Sequence, residues 1–203
     1  MTQKPNKDQL LERASTEIKN LFEPVDGIDE VVVQREIRKG QGPDSVVELL
    51  GRDGVRVLLI ESRVSGEPRI AREAINCLLL ETQLWSKASP VFVAPSISPE
   101  AAEICLAHKV GYLDLAGNCH LAFDSFFIHI QGHPNPFKSK RTLKSFSKPK
   151  SGRIIRVLLN NPRRQWQTQE LAQEAEVSPG LVSNVKKILR DKEWIEEQKR
   201  RIC

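Results

Sequence analysis

The stretch PDSVVELLGRDGVRVLLIESR, residues 43–63, predicts the centre of the fold. Its two apolar runs, at 44–50 and 55–63, are rich in valine, leucine and isoleucine, and such runs favour β-strands. The link between them, Gly51-Arg52-Asp53-Gly54, supplies the glycines that a short hairpin loop requires. We therefore expect an antiparallel hairpin within a sheet.

The hairpin also predicts which side chains lie opposite each other. With the turn centred on the link, Leu50 faces Val55, and the same register places Asp44 opposite Glu61. Directly paired residues have Cβ atoms about 4.5–5.5 Å apart, so two carboxylates repel there unless a cation or a proton lies between them. The side-chain period of two places Arg63 on the face of Glu61. Such a group at the end of an apolar hairpin is typical of a Mg²⁺ site for phosphodiester cleavage.

Strands and helices alternate outward from the hairpin. The predicted helices are 9–22, 68–86 and 98–109, and the predicted strands are 28–38, 44–50, 55–63, 89–95 and two or more within 111–132. Alternation of this kind predicts parallel neighbours joined by right-handed crossovers. We expect an α/β domain with a mixed sheet and flanking helices over residues 8–132.

A second polar cluster is predicted at the carboxyl ends of the parallel strands, where ligand sites of open α/β sheets gather. Ser96, Asp114 and Asn118 fall there, next to a helix start at Ser98 whose free N–H groups suit an anion. Asp114 is unexpected within an apolar strand. Either this cluster binds a ligand, or Asp114 caps the turn at 116–118.

The segment TQELAQEAEVSPGLVSNVKKILR, residues 168–190, predicts two short helices joined by a tight turn. Ser178 and Pro179 open the second helix with an N-cap hydroxyl and a proline at its first position. Its polar face carries amides, hydroxyls and cations, which read base edges and neutralise phosphates in a DNA major groove. The candidate DNA contacts are Ser178, Ser183, Asn184, Lys186, Lys187 and Arg190. The alternative is an ordinary helical hairpin with a solvated polar face.

Positive charge is concentrated just before these helices. Residues 137–156 carry eight lysines and arginines and no acidic residue, against a net charge of +5 for the whole chain. A polyanion partner requires such concentration, although a linker can also be basic because it stays solvated. We expect a basic linker over 133–150, in which Lys138, Lys140 and Arg141 contact DNA, and a second domain over 151–203.

Composition excludes several classes of protein. Apolar content of 39 % and charged content of 28 % fit a globular protein, and no run reaches the roughly 20 apolar residues of a membrane span. The start of the chain lacks the hydrophobic core of a signal peptide. Four widely spaced cysteines without a CxxC pair predict reduced thiols and no structural zinc. We expect a cytosolic, nucleoid-associated protein with neither membrane contact nor a cofactor.

Pro43-Asp44, sixteen residues, and then Glu61-Ser62-Arg63 resemble the PD-(D/E)XK signature of restriction-endonuclease-like proteins. The predicted order of helix, hairpin, helix and strand is similar to the core of that superfamily. The resemblance implies that Asp44 and Glu61 bind Mg²⁺ or Mn²⁺ if the protein is a nuclease.

The PD-(D/E)XK resemblance also bears on the first helix and on position 63. The resemblance implies that Glu17 or Glu12, on the first helix, is an accessory carboxylate. The family usually has lysine at the position of Arg63, to orient or activate the attacking water. Arginine is always charged, holds its donors in a rigid fork and cannot act as a base.

Three interpretations of these acidic residues remain. The domain is a degenerate nuclease fold that does not cut and serves as a scaffold or sensor. It is an active metal-dependent nuclease that tolerates arginine. Or the spacing is a coincidence, in which Asp44 caps a strand and Glu61 pairs with Arg63 for structural reasons.

A second resemblance covers about residues 40–196 and is strongest at 111–118 and 177–194. VFVAPSISPEAAEICLAHKVGYLDLAGNCHLAF, residues 91–123, followed by a G-x-P-N-P-F exit and a winged helix, is similar to prokaryotic type IV toxin–antitoxin antitoxin-like or winged-helix regulators. The resemblance implies DNA-binding regulation and a cognate toxin as partner. Glu176 departs from it, because glycine often holds that turn position. The chain also reaches Cys203 only one predicted strand after Trp194-Ile195, where a winged helix needs two.

These observations predict a restriction-endonuclease-like α/β domain followed by a small winged helix-turn-helix domain. The predicted function is a transcriptional regulator that binds double-stranded DNA and does not cleave it. A homodimer is expected because one helix-turn-helix reads only half of a symmetric site. The alternative is a Mg²⁺-dependent DNA endonuclease that its helix-turn-helix delivers to the substrate.

Overall fold

The computed structural model describes residues 4–35, 42–52, 54–85, 87–124, 126–137, 148–198 and 201–202. The chain divides into two compact units, Met1–Phe137 and Lys138–Cys203. The end of the predicted strand 28–38 and the predicted DNA contacts Lys138, Lys140 and Arg141 lie outside the described residues. In the described parts of the chain, every helix is too short or too polar to span a lipid bilayer.

The first unit is a mixed α/β structure. Its helices are α1 Lys7–Phe22, α2 Pro68–Thr82 and α3 Pro99–Ala107. Its strands are β1 Ile28–Arg35, β2 Ser45–Gly51, β3 Gly54–Ser62, β4 Ala88–Ala94, β5 Gly111–Asp114, β6 Cys119–Phe123 and β7 Phe126–Ile130. The seven strands form one sheet in sequence order, in which β3, β4 and β5 are parallel and the other neighbours are antiparallel. The predicted mixed sheet and its parallel crossovers are confirmed.

The predicted hairpin forms in the predicted register. Leu50 pairs with Val55 and Ser45 pairs with Ile60 along β2 and β3. The loop depends on Gly54, whose φ of +110° is one that side chains with a Cβ rarely adopt. Continuing this register by one residue brings Asp44 opposite Glu61.

Two apolar layers cover the two faces of the sheet. Because successive strand residues point to opposite faces, Val47 and Leu58 pack with α1 on one side, whereas Val46 and Leu59 pack with α2 and α3 on the other. Both layers are almost inaccessible to solvent, and burial of each such side chain is worth about 1.5–3 kcal/mol. Asp44 shares the parity of Val46, and Glu61 that of Leu59. Glu61 therefore belongs to the α2 side of the sheet, whereas Asp44 precedes β2 and its side chain contacts Lys7 of α1.

The start of α1 is fixed by local hydrogen bonds. Asn6 and Gln9 form a reciprocal capping box, in which each side chain accepts a hydrogen bond from the other's backbone N–H, at 2.9 and 3.1 Å. Lys7 is consequently the first helical residue, at the end of α1 that lies beside the start of β2.

The second unit contains three helices and a short pair of strands among the described residues. They are α4 Pro149–Asn160, α5 Thr168–Glu174, α6 Pro179–Asp191, β8 Glu197–Gln198 and β9 Arg201–Ile202. Its core is built on Trp166 and on the apolar faces of α4, α5 and α6. These helices confirm the helices expected from the spacing of apolar residues in the sequence. Where one strand was expected after Trp194, two strands of two residues each pair antiparallel.

Candidate functional site

The structure brings Asp44 and Glu61 together at one end of the β2–β3 hairpin. Asp44 accepts hydrogen bonds at Oδ2 from the backbone N–H and the hydroxyl of Ser62, at 2.8 and 2.7 Å. The side chains of Asp44 and Glu61 are 14 % and 9 % exposed, respectively. Burial, together with the neighbouring charge of Asp44, raises the pKa of Glu61 above its ordinary value. Two interacting carboxylates with so little exposure require a compensating cation or a proton.

Arg63 supplies one of the compensating charges. Its Nη1 donates to the Glu61 carboxylate and, at 2.9 Å, to the backbone carbonyl of Ser62. Burial lowers the pKa of Arg63, but the charge and hydrogen bond of Glu61, together with the charge of Asp44, hold that pKa above its usual range. The guanidinium also reaches α2, with 3.9 Å between Nη2 and Sγ of Cys77. Arg63 is therefore anchored in place and carries a permanent charge.

Lys7 supplies the other charge, and no local sequence motif marks this residue. Its Nζ lies 2.6 Å from Oδ1 of Asp44. The lysine stands in the first turn of α1, far from Asp44 along the chain, so only the packing of α1 on the sheet brings the two residues together. Asp44 thus has a cation on one oxygen and two donors from Ser62 on the other.

The carboxylate oxygens of this site already have partners within the protein and are not arranged as the ligands of a divalent metal ion. Mg²⁺ takes oxygen ligands in octahedral geometry, with carboxylates and waters as the usual ligands. Here both oxygens of Asp44 and one of Glu61 already accept hydrogen bonds or pair with a cation. Among the described residues, no group of three or more His, Cys, Asp and Glu side chains is placed to hold a metal ion.

The structure does not bring Glu17 or Glu12 to this site. Both side chains are exposed on α1. Glu17 lies ten residues beyond Lys7, which is about 15 Å along a helix that rises about 1.5 Å per residue. The accessory carboxylate implied by the resemblance is absent from the described cluster, and an ammonium stands at the α1 end of it instead.

Asp114 is a structural acceptor and not an open ligand group. It is fully buried, and its Oδ1 accepts from the backbone N–H groups of Ala116 and Asn118, each at 2.9 Å. Its Oδ2 accepts from the N–H of Ile97 at 3.1 Å, and the Asn118 amide donates to both oxygens. These hydrogen bonds are those of the second interpretation of the sequence, in which Asp114 caps the turn at 116–118, and they use the carboxylate to hold two loops together.

The other two members of the predicted ligand cluster have structural partners as well. Asn118 accepts from the N–H of His133 and donates to its carbonyl, at 2.9 and 3.0 Å. A Cβ on residue 66 would lie 2.3 Å from the backbone oxygen of Ser96. Because Gly66 has no Cβ, the two loops can run side by side. Ser98 caps α3 through a hydrogen bond from the N–H of Ala101, at 3.2 Å.

In the second unit, α6 presents its predicted polar face outward. Val182, Val185 and Leu189 are buried in the core of this unit. Ser183, Asn184 and Lys187 are exposed, whereas Lys186 and Arg190 are partly buried. The Ser178 hydroxyl caps α6 by accepting from the N–H of Leu181 at 3.3 Å, so this exposed residue has a structural role.

Exposed cations also line α4. Lys148, Lys150, Arg153 and Arg156 are all exposed, and the last three recur at helical spacing. Arg153 pairs with Glu176 at 3.1 Å. Glu176 has a φ of +50°, so the turn before α6 adopts the left-handed conformation in which the resemblance led us to expect glycine.

No protein-family model matches this chain, and no curated protein matches it. It is similar to the crystal structure of a repair endonuclease from Pyrococcus abyssi, with 14 % identity and a TM-score of 0.38 over 57 % of this chain and 49 % of that one. It is also similar to EndoMS in its dsDNA2 complex, with 19 % identity and a TM-score of 0.33 over 50 % of this chain and 44 % of that one. The chain spans about half the length of the structures it matches. Likeness at this level transfers no site residue to this protein.

Proposed function

We propose that this protein binds double-stranded DNA through its second unit and that its α/β unit is a nuclease-like domain that does not cut. The observation that supports a domain that does not cut is the pairing of each acidic side chain with its own cation. Lys7 forms an ion pair with Asp44, and Arg63 forms one with Glu61. A domain whose two nuclease-like acidic residues are each paired with a cation is suited to a scaffolding or sensing role.

The ion pairs oppose cleavage for two physical reasons. A divalent ion that enters must displace a guanidinium or an ammonium from a buried carboxylate, and it leaves that cation without its partner. Arg63 also cannot accept a proton from water, because a guanidinium is not deprotonated in proteins. The position from which a lysine would orient or activate water is therefore filled by a group that is unable to act as a base.

DNA binding is supported by the surfaces of α6 and α4. The exposed amide of Asn184 and ammonium of Lys187 are groups that contact base edges and phosphates. Exposed cations on α4 add sequence-independent attraction to the backbone. In this proposal α5 and α6 form a helix-turn-helix, the β8–β9 pair is a short wing, and regulation of transcription follows from occupancy of an operator. Two copies on a symmetric operator, and a cognate toxin as partner, are further parts of the proposal.

A metal-dependent DNA endonuclease is the second candidate. The observation that favours it is that Asp44 and Glu61 converge at the end of the hairpin, with the ammonium of Lys7 beside them. In this case α1, and not position 63, supplies the lysine that such a site uses. The α4–α6 unit then delivers the site to duplex DNA.

Incubation with supercoiled plasmid separates the two candidates. We expect wild-type protein to leave the plasmid intact with Mg²⁺ or Mn²⁺ while it retards linear duplex in a gel. Cleavage by the wild type that is lost in the Glu61→Gln variant would establish the endonuclease instead. A Glu17→Gln variant is the matched control, since Glu17 is exposed and outside the site.

Binding to duplex DNA is tested through Lys187. We expect Lys187→Ala to weaken binding to all duplexes and to reduce the slope of log affinity against log salt by about one. Lys19→Ala is the matched control, because Lys19 is an exposed lysine on α1 of the other unit. Equal affinity and slope for Lys187→Ala and the wild type would remove α6 from the interface.

A further inference from the structure

We propose that the β6–β7 hairpin carries a binding site for a divalent transition-metal ion such as Zn²⁺, Ni²⁺ or Cu²⁺, formed by the imidazoles of His120 and His129. The site lies at the outer edge of the sheet and involves neither Asp44 nor Glu61. It does not depend on the function proposed above.

The strand register places the two histidines directly opposite each other. His120 on β6 pairs with His129 on β7, so both imidazoles leave the same face of the sheet. Their Nδ1 atoms are 3.0 Å apart, and the ring planes are inclined at 78°. The neighbouring strands β6 and β7 therefore place two ring nitrogens side by side.

The separation of the nitrogens matches that of two ligands on one ion. Zn–N bonds are about 2.0–2.1 Å long, so ligands that subtend angles between a right angle and the tetrahedral angle lie about 2.8–3.4 Å apart. The observed 3.0 Å falls in this interval. Without the ion, one Nδ1–H is shared between the rings. Binding through both Nδ1 atoms therefore requires that this proton move to Nε2 of the same ring, by exchange with water, and that the rings rotate about their χ2 angles.

Neighbouring rings hold the pair in place. Tyr112, which is buried, stacks on His120 with 6.0 Å between ring centroids, and its hydroxyl accepts from the Gln131 amide at 3.3 Å. Phe127 lies edge-on to His120, with 5.4 Å between centroids. His120 is thus preorganised, whereas the exposed His129 is able to rotate toward an ion.

The ligand type suits borderline transition metals. Imidazole nitrogen is a preferred ligand of Zn²⁺, Ni²⁺ and Cu²⁺, and it binds only when neutral. No third His, Cys, Asp or Glu joins the pair among the described residues, so water completes the coordination and the ion is exchangeable.

A bound ion would fasten the outermost strand of the sheet. β7 pairs only with β6 among the described strands, and a metal bridge between His120 and His129 adds a cross-strand link near the end of β7. The expected consequences are a higher unfolding temperature and slower amide exchange along β7 when metal is present.

The test is a titration of the full chain with Zn²⁺ and Ni²⁺, monitored by calorimetry and by imidazole ¹⁵N shifts. The protein carries Cys77→Ser and Cys203→Ser, so that thiols do not compete. We expect one equivalent to bind, with shifts confined to His120 and His129, and the affinity to fall by at least about tenfold in His129→Asn.

His108→Asn is the matched control, since His108 is exposed at the end of α3 and its ring contacts only the Ile104 carbonyl among the hydrogen bonds described. This variant should bind Zn²⁺ like the parent. The proposal is overturned if His129→Asn and the parent bind equally, or if the parent shows no shift of either imidazole at millimolar metal.

Discussion

Lys7, in the first turn of α1, places its Nζ 2.6 Å from Oδ1 of Asp44, at the start of β2. Arg63 neutralises Glu61 on the neighbouring strand in the same way. The two acidic side chains that the sequence singles out are thus neutralised by two cations from different parts of the fold. In the function proposed above, this pairing is what keeps a metal ion out of the site.

Glu61→Gln is expected to change how stability depends on pH. Because the pKa of Glu61 is raised in the folded protein, the folded state binds its proton more tightly than the unfolded state does. The stability from this group is therefore fully present below pH 4.5, its ordinary pKa, and is lost as pH rises through the folded pKa. Urea unfolding should show the variant and the wild type matched at low pH, and the variant more stable at neutral pH. A difference that stays constant with pH would contradict this.

Asp114→Asn is expected to destabilise the α/β unit by roughly 2–3 kcal/mol, because an amide in place of the carboxylate turns a donor toward at least one buried backbone N–H. The wild-type carboxylate accepts from Ile97, Ala116 and Asn118. Asp124→Asn is the matched control, since Asp124 is 66 % exposed. Similar unfolding midpoints for the two variants would show that Asp114 does not hold the loops.

Glu176→Gly is expected to stabilise the second unit by up to about 1 kcal/mol, because glycine adopts a positive φ without the steric cost that other residues bear. Loss of the exposed ion pair with Arg153 offsets little of this gain. Glu174→Gly, at the last residue of α5, should instead destabilise by up to about 0.5–1 kcal/mol. Thermal unfolding of both variants measures the contrast, and two losses of equal size would contradict it.

Thiol reactivity should distinguish the cysteines in a Cys203→Ser background. Cys77 is exposed on α2, whereas Cys105 is buried and burial raises its pKa to about 12. At pH 8 a disulfide-exchange reagent should modify Cys77 in the folded protein and reach Cys105 only after unfolding. Mass spectrometry of the labelled peptides identifies the residue. Modification of Cys105 at the rate of Cys77 would contradict the buried placement.

Much of the fold could be predicted because its signals are local. The glycine-flanked loop fixed the pairing of Leu50 with Val55, and this register in turn places Asp44 beside Glu61. The parallel strands followed from the alternation of strands and helices. The cap and proline at Ser178 and Pro179 marked the start of α6.

The rest of the site depends on contacts between distant segments. Lys7 carries no motif, and it meets Asp44 only because α1 packs across the sheet. The role of Asp114 remained open in the sequence, since the N–H of Ile97 that completes its hydrogen bonds comes from a different loop. The histidine pair was missed for a related reason, because its register depends on the β6–β7 turn.

Metal binding at the β2–β3 hairpin tests the central claim most directly. Mn²⁺ titration, followed by paramagnetic relaxation of water protons, should show no binding at this site in the wild type at about millimolar metal. A Lys7→Met, Arg63→Met double variant should bind one Mn²⁺, and further substitution of Glu61→Gln should abolish it. Binding of Mn²⁺ by the wild type that Glu61→Gln removes would show that the two cations do not close the site, and would contradict the account.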